Sequence, residues 1–362
     1  MPEPSSVPTA RPVARLRIAQ VAPPAEPVPP IAYGGTERIV AALVEELIRR
    51  GHDVTLFASG DSTAPGRLVP TAPRALRPAG RIADTAAHLI GTQLAVLRDA
   101  PAFDLVHVHL EFSGLVLARA LDRPTVVSFH GRIDQPWAAD LLADAPPGVV
   151  AISAAQAASQ PGVPWTVVHN GLALDGAPFE ARRGDDLCYV GRFMPEKGLV
   201  EAIEIARRAG RRLRVAAKEP STEPERTYRD ERFRPAAATA DVEYLGELTG
   251  PDRDRLLASS YATLMPGAWP EPFGLVAIES LACGTPVVAL RTGALPEIVR
   301  DGIDGILDDD PEALVRRLPE IETVDRRAIR ASVVDRFSAA RMADGYEALY
   351  ARLLGLAVPV GA

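Results

Sequence analysis

The sequence predicts an α/β protein of two domains, each built on a parallel sheet. Short apolar runs rich in β-branched residues alternate along the chain with stretches of helical periodicity. Those runs are apolar on both faces, as strands covered by helices on either side must be. The chain has 362 residues, about two domains' worth, with enough material to bury a core in each.

The strands of the first half are read at RLRIAQVAP (15–23), DVTLFAS (53–59), DLVHVHL (104–110), TVVSFHG (125–131), GVVAIS (148–153) and WTVVHNG (165–171). Those of the second half are DLCYVGR (186–192), RLRVAAK (212–218), VEYLGE (242–247), ATLMPG (262–267) and TPVVAL (285–290). Between the first two, TERIVAALVEELIRRG reads as a helix: Ile39, Leu43 and Leu47 with Val40, Val44 and Ile48 form one apolar face. Thr36 is its expected N-cap and Gly51 its C′ residue. Segment 172–185, LALDGAPFEARRGD, is polar, rich in Gly and Ala and without period, so it reads as an interdomain linker. The predicted organisation is a disordered Pro- and Ser-rich tail (1–14), a first domain (15–171), the linker (172–185), a second domain (186–337) and a final helical segment (338–362).

Composition excludes several classes. With 47% hydrophobic and 24% charged residues the chain is globular, not disordered. Its net charge is −7 and its arginines are scattered, so it offers no basic stripe to nucleic acid or to an anionic membrane. Cys188 and Cys283 sit in apolar runs without metal-ligand spacing, which fits a reducing cytoplasm. No apolar run reaches transmembrane length and no secretory layout precedes the first domain. Any membrane attachment is expected to be peripheral, at the inner face.

Three motifs carry chemistry. YGGTERIV (33–40) feeds a glycine pair, Gly34 and Gly35, into a helix N-terminus, where free N–H groups and the dipole favour phosphate. It lacks the G-x-G-x-x-G fingerprint, and the proline-rich excursion before it is too long for a dinucleotide turn, so an NAD enzyme is disfavoured. YVGRFMPEKG (189–198) sets Arg192 and Lys197 at the carboxyl end of a strand, the crevice where open α/β sheets bind ligands. Two cations on one loop suit a diphosphate, the arginine as a fork and the lysine as a point charge.

The third motif is WPEPFGLVAIESLACGTP (269–286), read as a helix over 272–283 with Pro272 in its first turn and Gly284 and Pro286 ending it. Glu271 then falls at the positive end of the dipole. Glu279 stands among apolar neighbours, where a carboxylate needs a hydrogen-bonding partner, and ligand hydroxyls would serve. On a helix the two Cα atoms would lie about 12 Å apart. Glycosidase carboxyl pairs stand about 5–9.5 Å apart across one bond, so this pair reads as spread along a longer ligand. His107 and His109 alternate along DLVHVHLEF and are expected on opposite faces, His109 either as an active-site group or as a satisfied core histidine. The acidic run Asp308–Asp310 reads as solvated surface.

With these motifs in order, the chain resembles the GT-B glycosyltransferases, specifically the retaining nucleotide-sugar enzymes of family four. The resemblance runs from Gly34–Gly35 through FHG with His130, HNG (169–171), GRFMPEKG and E-x7-E from Glu271 to Glu279, to ACGTPVVA. It implies two Rossmann-like domains facing across a deep cleft, with a C-terminal helix, matched here by SAARMADGYEALYARLLGL, crossing back to the first domain. It implies that Gly34, Gly35 and Gly191 border the donor and that Arg192 and Lys197 bind its diphosphate. Glu271 would meet the transferred sugar, Glu279 the ribose, and Phe273, Gly274 and Leu275 the phosphate or sugar oxygens, with His130 near the reacting sugar. Catalysis would rest on His130, Arg192, Lys197 and Glu271, without metal or cofactor, the partners being a nucleotide sugar and a hydroxyl acceptor. The acceptor would meet the first domain near Tyr33, His109, Asp134 and Trp137. Trp269 and Pro270 depart from the small residues common there, and 219–240 is longer and more charged than usual, as a flap beside the nucleotide would be. Two alternatives stand beside a transferase: a sugar-nucleotide epimerase of the same fold using Glu111 and Asp134, and a non-catalytic nucleotide-sugar-binding subunit.

Overall fold

The computed structural model describes residues 15–32 and 34–356. The predicted tail and Tyr33 lie outside the described residues. The first sheet has seven parallel strands: β1 Arg17–Val21, β2 Asp53–Ser59, β3 Arg67–Ala72, β4 Leu105–Val108, β5 Thr125–Phe129, β6 Val149–Ala151 and β7 Thr166–Val167. Their spatial order is β3-β2-β1-β4-β5-β6-β7. The second has six: β8 Leu187–Gly191, β9 Leu213–Ala217, β10 Val242–Gly246, β11 Ala262–Met265, β12 Val287–Leu290 and β13 Gly305–Asp308, in the order β10-β9-β8-β11-β12-β13. β1, β2, β4, β5 and β6 are buried along nearly their whole length, as the two-faced apolar runs require. Both sheets change direction of winding between their first strand and the next one added on its far side, β1/β4 and β8/β11. A crevice opens there at the strands' carboxyl ends.

Two strands were not legible in the sequence, β3 and β13, and both are sheet edges. β3 carries Pro70 and is half exposed, which only an edge tolerates. The helix Gly35–Arg49 buries Ile39, Val40, Leu43, Val44 and Leu47 as its period predicts, with Gly51 at φ 95° just past its end. Its N-cap is Gly34, not Thr36.

The helix expected over 272–283 is shorter, Leu275–Ala282. Gly274 at φ 109° turns the chain immediately before it, so Pro272 and Phe273 form the approach and Glu271 precedes the first turn. Segment 219–240 is no open flap. Thr222 and Glu225 form a capping box, helices run over Glu223–Tyr228 and Arg234–Ala237, and Tyr228 and Phe233 are buried in the second domain's core.

Residues 168–186 hold no named helix or strand, but Leu172 and Leu174 are buried. Leu172 N–H donates to Phe337 O at 3.1 Å and Leu172 O accepts from Ala339 N–H at 2.9 Å, so the two chain crossings between the domains lie side by side. The helix Ala339–Leu353 then runs onto the first domain and buries Tyr346 and Tyr350 completely. Each such ring is worth roughly 1.5–3 kcal/mol of apolar burial. Arg50 reinforces the seat through Asp344 at 2.8 Å and Glu347 at 2.6 Å. No helix among the described residues is long and apolar enough to cross a membrane.

Candidate functional site

The loops that follow β1, β4, β5, β8 and β11 meet in a cleft of about 690 Å³ between the sheets. Gly34, Gly35, His109, His130, Gly191, Arg192, Lys197, Glu271, Phe273, Gly274, Leu275 and Glu279 all line it. Asp134 and Trp137, expected on the acceptor side, are not among its lining residues. Asp134 turns to Arg132 at 2.5 Å, and Trp137 packs edge-on against Phe112 with 53% of its surface exposed. The cleft's floor is narrow at the first glycine loop: a Cβ on Gly35 would stand 3.5 Å from Leu275 Cδ1 of the opposite domain.

Lys197, on the turn after β8, reaches Glu271 Oε2 at 2.6 Å. The same oxygen accepts from Trp269 Nε1–H at 3.0 Å, and the lysine ammonium lies 4.2 Å from the centre of that indole. Arg132 of the first domain lies 5.2 Å from the Trp269 ring. The tryptophan that departs from the usual small residue is thus a post against which Lys197 and Glu271 are both held. Glu279 is buried as expected, and its partners come from both domains: Arg38, on the helix Gly35–Arg49, and Arg253 at 2.9 Å, on the helix Gly250–Ala258. Sequence reasoning missed both arginines. For Arg38 there was a trace, since a cation in the first turn of a helix opposes the dipole and asks for a tertiary reason.

The histidines do not lie on opposite faces: residues two apart along a strand share a face, and the His109 ring stands 4.1 Å from that of His107. His109 Nδ1 is 2.9 Å from His130 Nε2. Burial holds His107 and His109 well below the usual imidazole range and pushes His130 down to about 4, so all three are neutral near pH 7. Glu111, at φ 52°, accepts the backbone N–H groups of His130 and Gly131 at 3.0 and 3.1 Å and thereby pins the FHG loop. Desolvation outweighs those bonds and lifts its carboxyl to about 7.

Residues 179–331 match the family model of glycosyl transferases group 1, and residues 33–175 that of glycosyltransferase family 4. The D-inositol 3-phosphate glycosyltransferase of Mycolicibacterium gilvum (strain PYR-GCK) is 30% identical over 411 residues, a match taking in 97% of this chain and 91% of the relative. Among solved structures, AviGT4, a glycosyltransferase involved in avilamycin A biosynthesis, is 27% identical, with TM-score 0.69 over 94% of this chain and 99% of its own. Anabaena HepE, solved in complex with UDP-glucose, shares the fold at TM-score 0.71 and 18% identity, over 94% of this chain and 100% of its own.

Proposed function

We propose, from the premise that this chain belongs to the GT-B glycosyltransferases of group 1, family four, that its cleft moves a sugar from a UDP- or GDP-sugar to a hydroxyl acceptor with retention of configuration and without an essential metal. One observation carries the reading. Lys197 and Glu271 form a contact pair at the carboxyl end of the second sheet, while Glu279 lies buried further along the same cleft. A nucleotide diphosphate sugar has hydroxyls at both ends and two negative phosphates between them, and those groups match this order of carboxylate, cations and carboxylate.

In this reading Arg192 and Lys197 take the diphosphate, joined by the first N–H groups of the helix Leu275–Ala282. Negative charge grows on the leaving diphosphate in the transition state, and fixed cations aimed at it supply the stabilisation a metal would otherwise give. Lys197 leaves Glu271 for the phosphate, which frees the carboxylate to receive sugar hydroxyls. Glu279 holds the ribose. His130 is neutral and positions the sugar, and the attacking hydroxyl gives its proton to a phosphate oxygen on the same face of the ring. Domain closure about 172–185 accompanies each turnover. The acceptor enters from the first domain, and polyols are the first class to test, given the inositol 3-phosphate named for the relative.

The test is a binding and hydrolysis screen of UDP-, GDP- and ADP-sugars with EDTA present, on the wild type, Glu279→Ala and Lys197→Ala. One nucleotide class bound, weakened by both changes, with slow sugar release into water, is the expected result. Binding to none, or binding indifferent to both changes, would refute it.

A further inference from the structure

Behind His130 a continuous chain of buried polar groups leads from the cleft to the C-terminal helix. His130 Nε2 meets His109 Nδ1 at 2.9 Å, and His109 Nε2 meets Gln20 Oε1 at 2.9 Å. Gln20 Nε2 lies 3.3 Å from both His107 Nδ1 and the Tyr350 hydroxyl, which are 2.8 Å from each other. His107 Nε2 then meets Ser128 Oγ, and Ser128 Oγ meets the Tyr346 hydroxyl, both at 2.8 Å. Gln20, His107, Ser128, Tyr346 and Tyr350 are completely buried and His109 is 1% exposed. Groups so enclosed must match their donors and acceptors chiefly among themselves.

The facing of the Gln20 amide sets the direction of the bonds that run from it to the cleft. The amide nitrogen of Gln20 faces the Tyr350 hydroxyl and His107 Nδ1, and its oxygen faces His109 Nε2. With the amide as placed, Gln20 Oε1 accepts from His109 Nε2–H, which leaves His109 Nδ1 bare. His109 Nδ1 in turn accepts from His130 Nε2–H, and His130 Nδ1 is left bare. That Nδ1 atom is buried and has no hydrogen-bond partner among the described residues, on a side chain that lines the cleft.

We infer that Gln20, acting through His109, is a positioning residue that locks His130 in its Nε2–H tautomer, so that His130 offers the cleft an acceptor for a hydroxyl of the transferred sugar and no N–H. Tyr350 on the crossing helix accepts from the amide nitrogen in that orientation. The inference rests on the sugar-transfer reading for what meets Nδ1, but not for the tautomer itself. A sugar hydroxyl that donates to Nδ1 keeps its own oxygen free to accept from another donor, and a carbonyl or phosphate oxygen at that place would meet a lone pair.

Long-range 1H–15N correlation of the histidine rings reads the tautomer directly. Wild type is expected to show His130 protonated at Nε2. Gln20→Leu should mix the two tautomers and lower kcat about tenfold, the value of one misdirected hydrogen bond. The KM for donor should stay within about twofold, because the phosphate and ribose contacts are elsewhere. Gln20→Glu should restore both readouts, because a protonated carboxyl in that enclosed site presents C=O to His109 and O–H to His107. Should Gln20→Leu not fold, Tyr350→Phe removes the hydroxyl that accepts from the amide nitrogen and should mix the tautomers as well. His130 protonated at Nδ1 in the wild type, or a pure Nε2–H tautomer in both Gln20→Leu and Tyr350→Phe, would overturn the inference. A wild type that binds no nucleotide sugar would instead overturn the transfer reading, and the ring spectra would still decide this one.

Discussion

Glu279→Gln separates the two jobs that one buried carboxylate can do here, tying the domains together and holding a ribose. The side chain is 6% exposed, Arg38 is 23% exposed and Arg253 14%. Breaking a buried ion pair by removing one partner costs about 3–5 kcal/mol when both charges are fully enclosed. Arg253 keeps Asp254 at 2.8 Å after the change, and Arg38 can hydrate through the cleft, so the cost falls below that range, to about 2 kcal/mol. For a chain of this length the unfolding entropy converts that into a fall of about 3 °C in Tm. The effect on nucleotide is larger. A hydrogen bond to a carboxylate is about twice as strong as one to an amide, so two ribose hydroxyls lose about 2–3 kcal/mol together, or roughly 30- to 150-fold in Kd. Arg38→Met is the control, since it removes the interdomain tie but leaves Glu279 on Arg253, and the nucleotide Kd should change less than about fivefold. Titration calorimetry with UDP and GDP gives the affinities and thermal melts give the stabilities. A Glu279→Gln protein with the lowered Tm but a nucleotide Kd within about threefold of wild type would show that Glu279 is a strut and not a ribose ligand.

Lys197→Ala should lower kcat by about 10²–10³, the usual loss for one fixed group aimed at developing charge, and a transfer assay showing less than about fivefold would exclude Lys197 from leaving-group stabilisation. Gly293→Ala should also impair turnover. Its φ is 52°, and a Cβ there would stand 2.3 Å from the carbonyl oxygen of Glu271 and 2.4 Å from its nitrogen, so the loop carrying Glu271 must move. Unchanged kcat with unchanged Tm would mean that the loop's placement is immaterial. Stability should depend on pH in both directions. His130 has its folded pKa depressed from 6.5 to about 4, so its contribution is present above 6.5 and is lost as pH falls through that window, about 3 kcal/mol in all. Glu111 is raised from 4.5 to about 7, so its contribution is present below 4.5 and is lost as pH rises towards 7. Urea unfolding at several pH values should therefore show the acid limb flattened by His130→Asn and the neutral limb flattened by Glu111→Gln; unaltered limbs would refute the assignments.

What the sequence made legible is what short-range physics writes into it. Apolar period placed the interior strands and the buried face of the helix Gly35–Arg49, because burial on both sides of a sheet or one side of a helix leaves a local signature. It did not reveal β3 and β13, edges whose residues answer to one neighbour and to solvent. The start of the helix Leu275–Ala282 was misread because Pro272 suits a first turn, whereas the chain turns at Gly274, whose φ of 109° is set by what packs around it. The opposite-face expectation for His107 and His109 misapplied the strand period, which puts residues two apart on one face, where their rings do meet.

Glu279 shows where that boundary falls within one residue. Its position inside an apolar helix states a cost, since a buried carboxylate must be answered by donors, and that cost is visible from the neighbouring letters alone. The answer is not. Arg38 stands 241 residues away in sequence, on the other domain, in a first helical turn where the dipole disfavours it. Two locally unfavourable placements, one in each domain, become favourable when the cleft brings them together. The same holds for the buried chain behind His130, whose members Gln20, His107, His109 and Tyr350 each look like a polar defect in an apolar segment. A residue that breaks its local pattern is therefore the better guide to a site that two domains build jointly, and the pairing of such breaks, not any single motif, is what ties the first domain's glycine loop and histidines to the second domain's carboxylates.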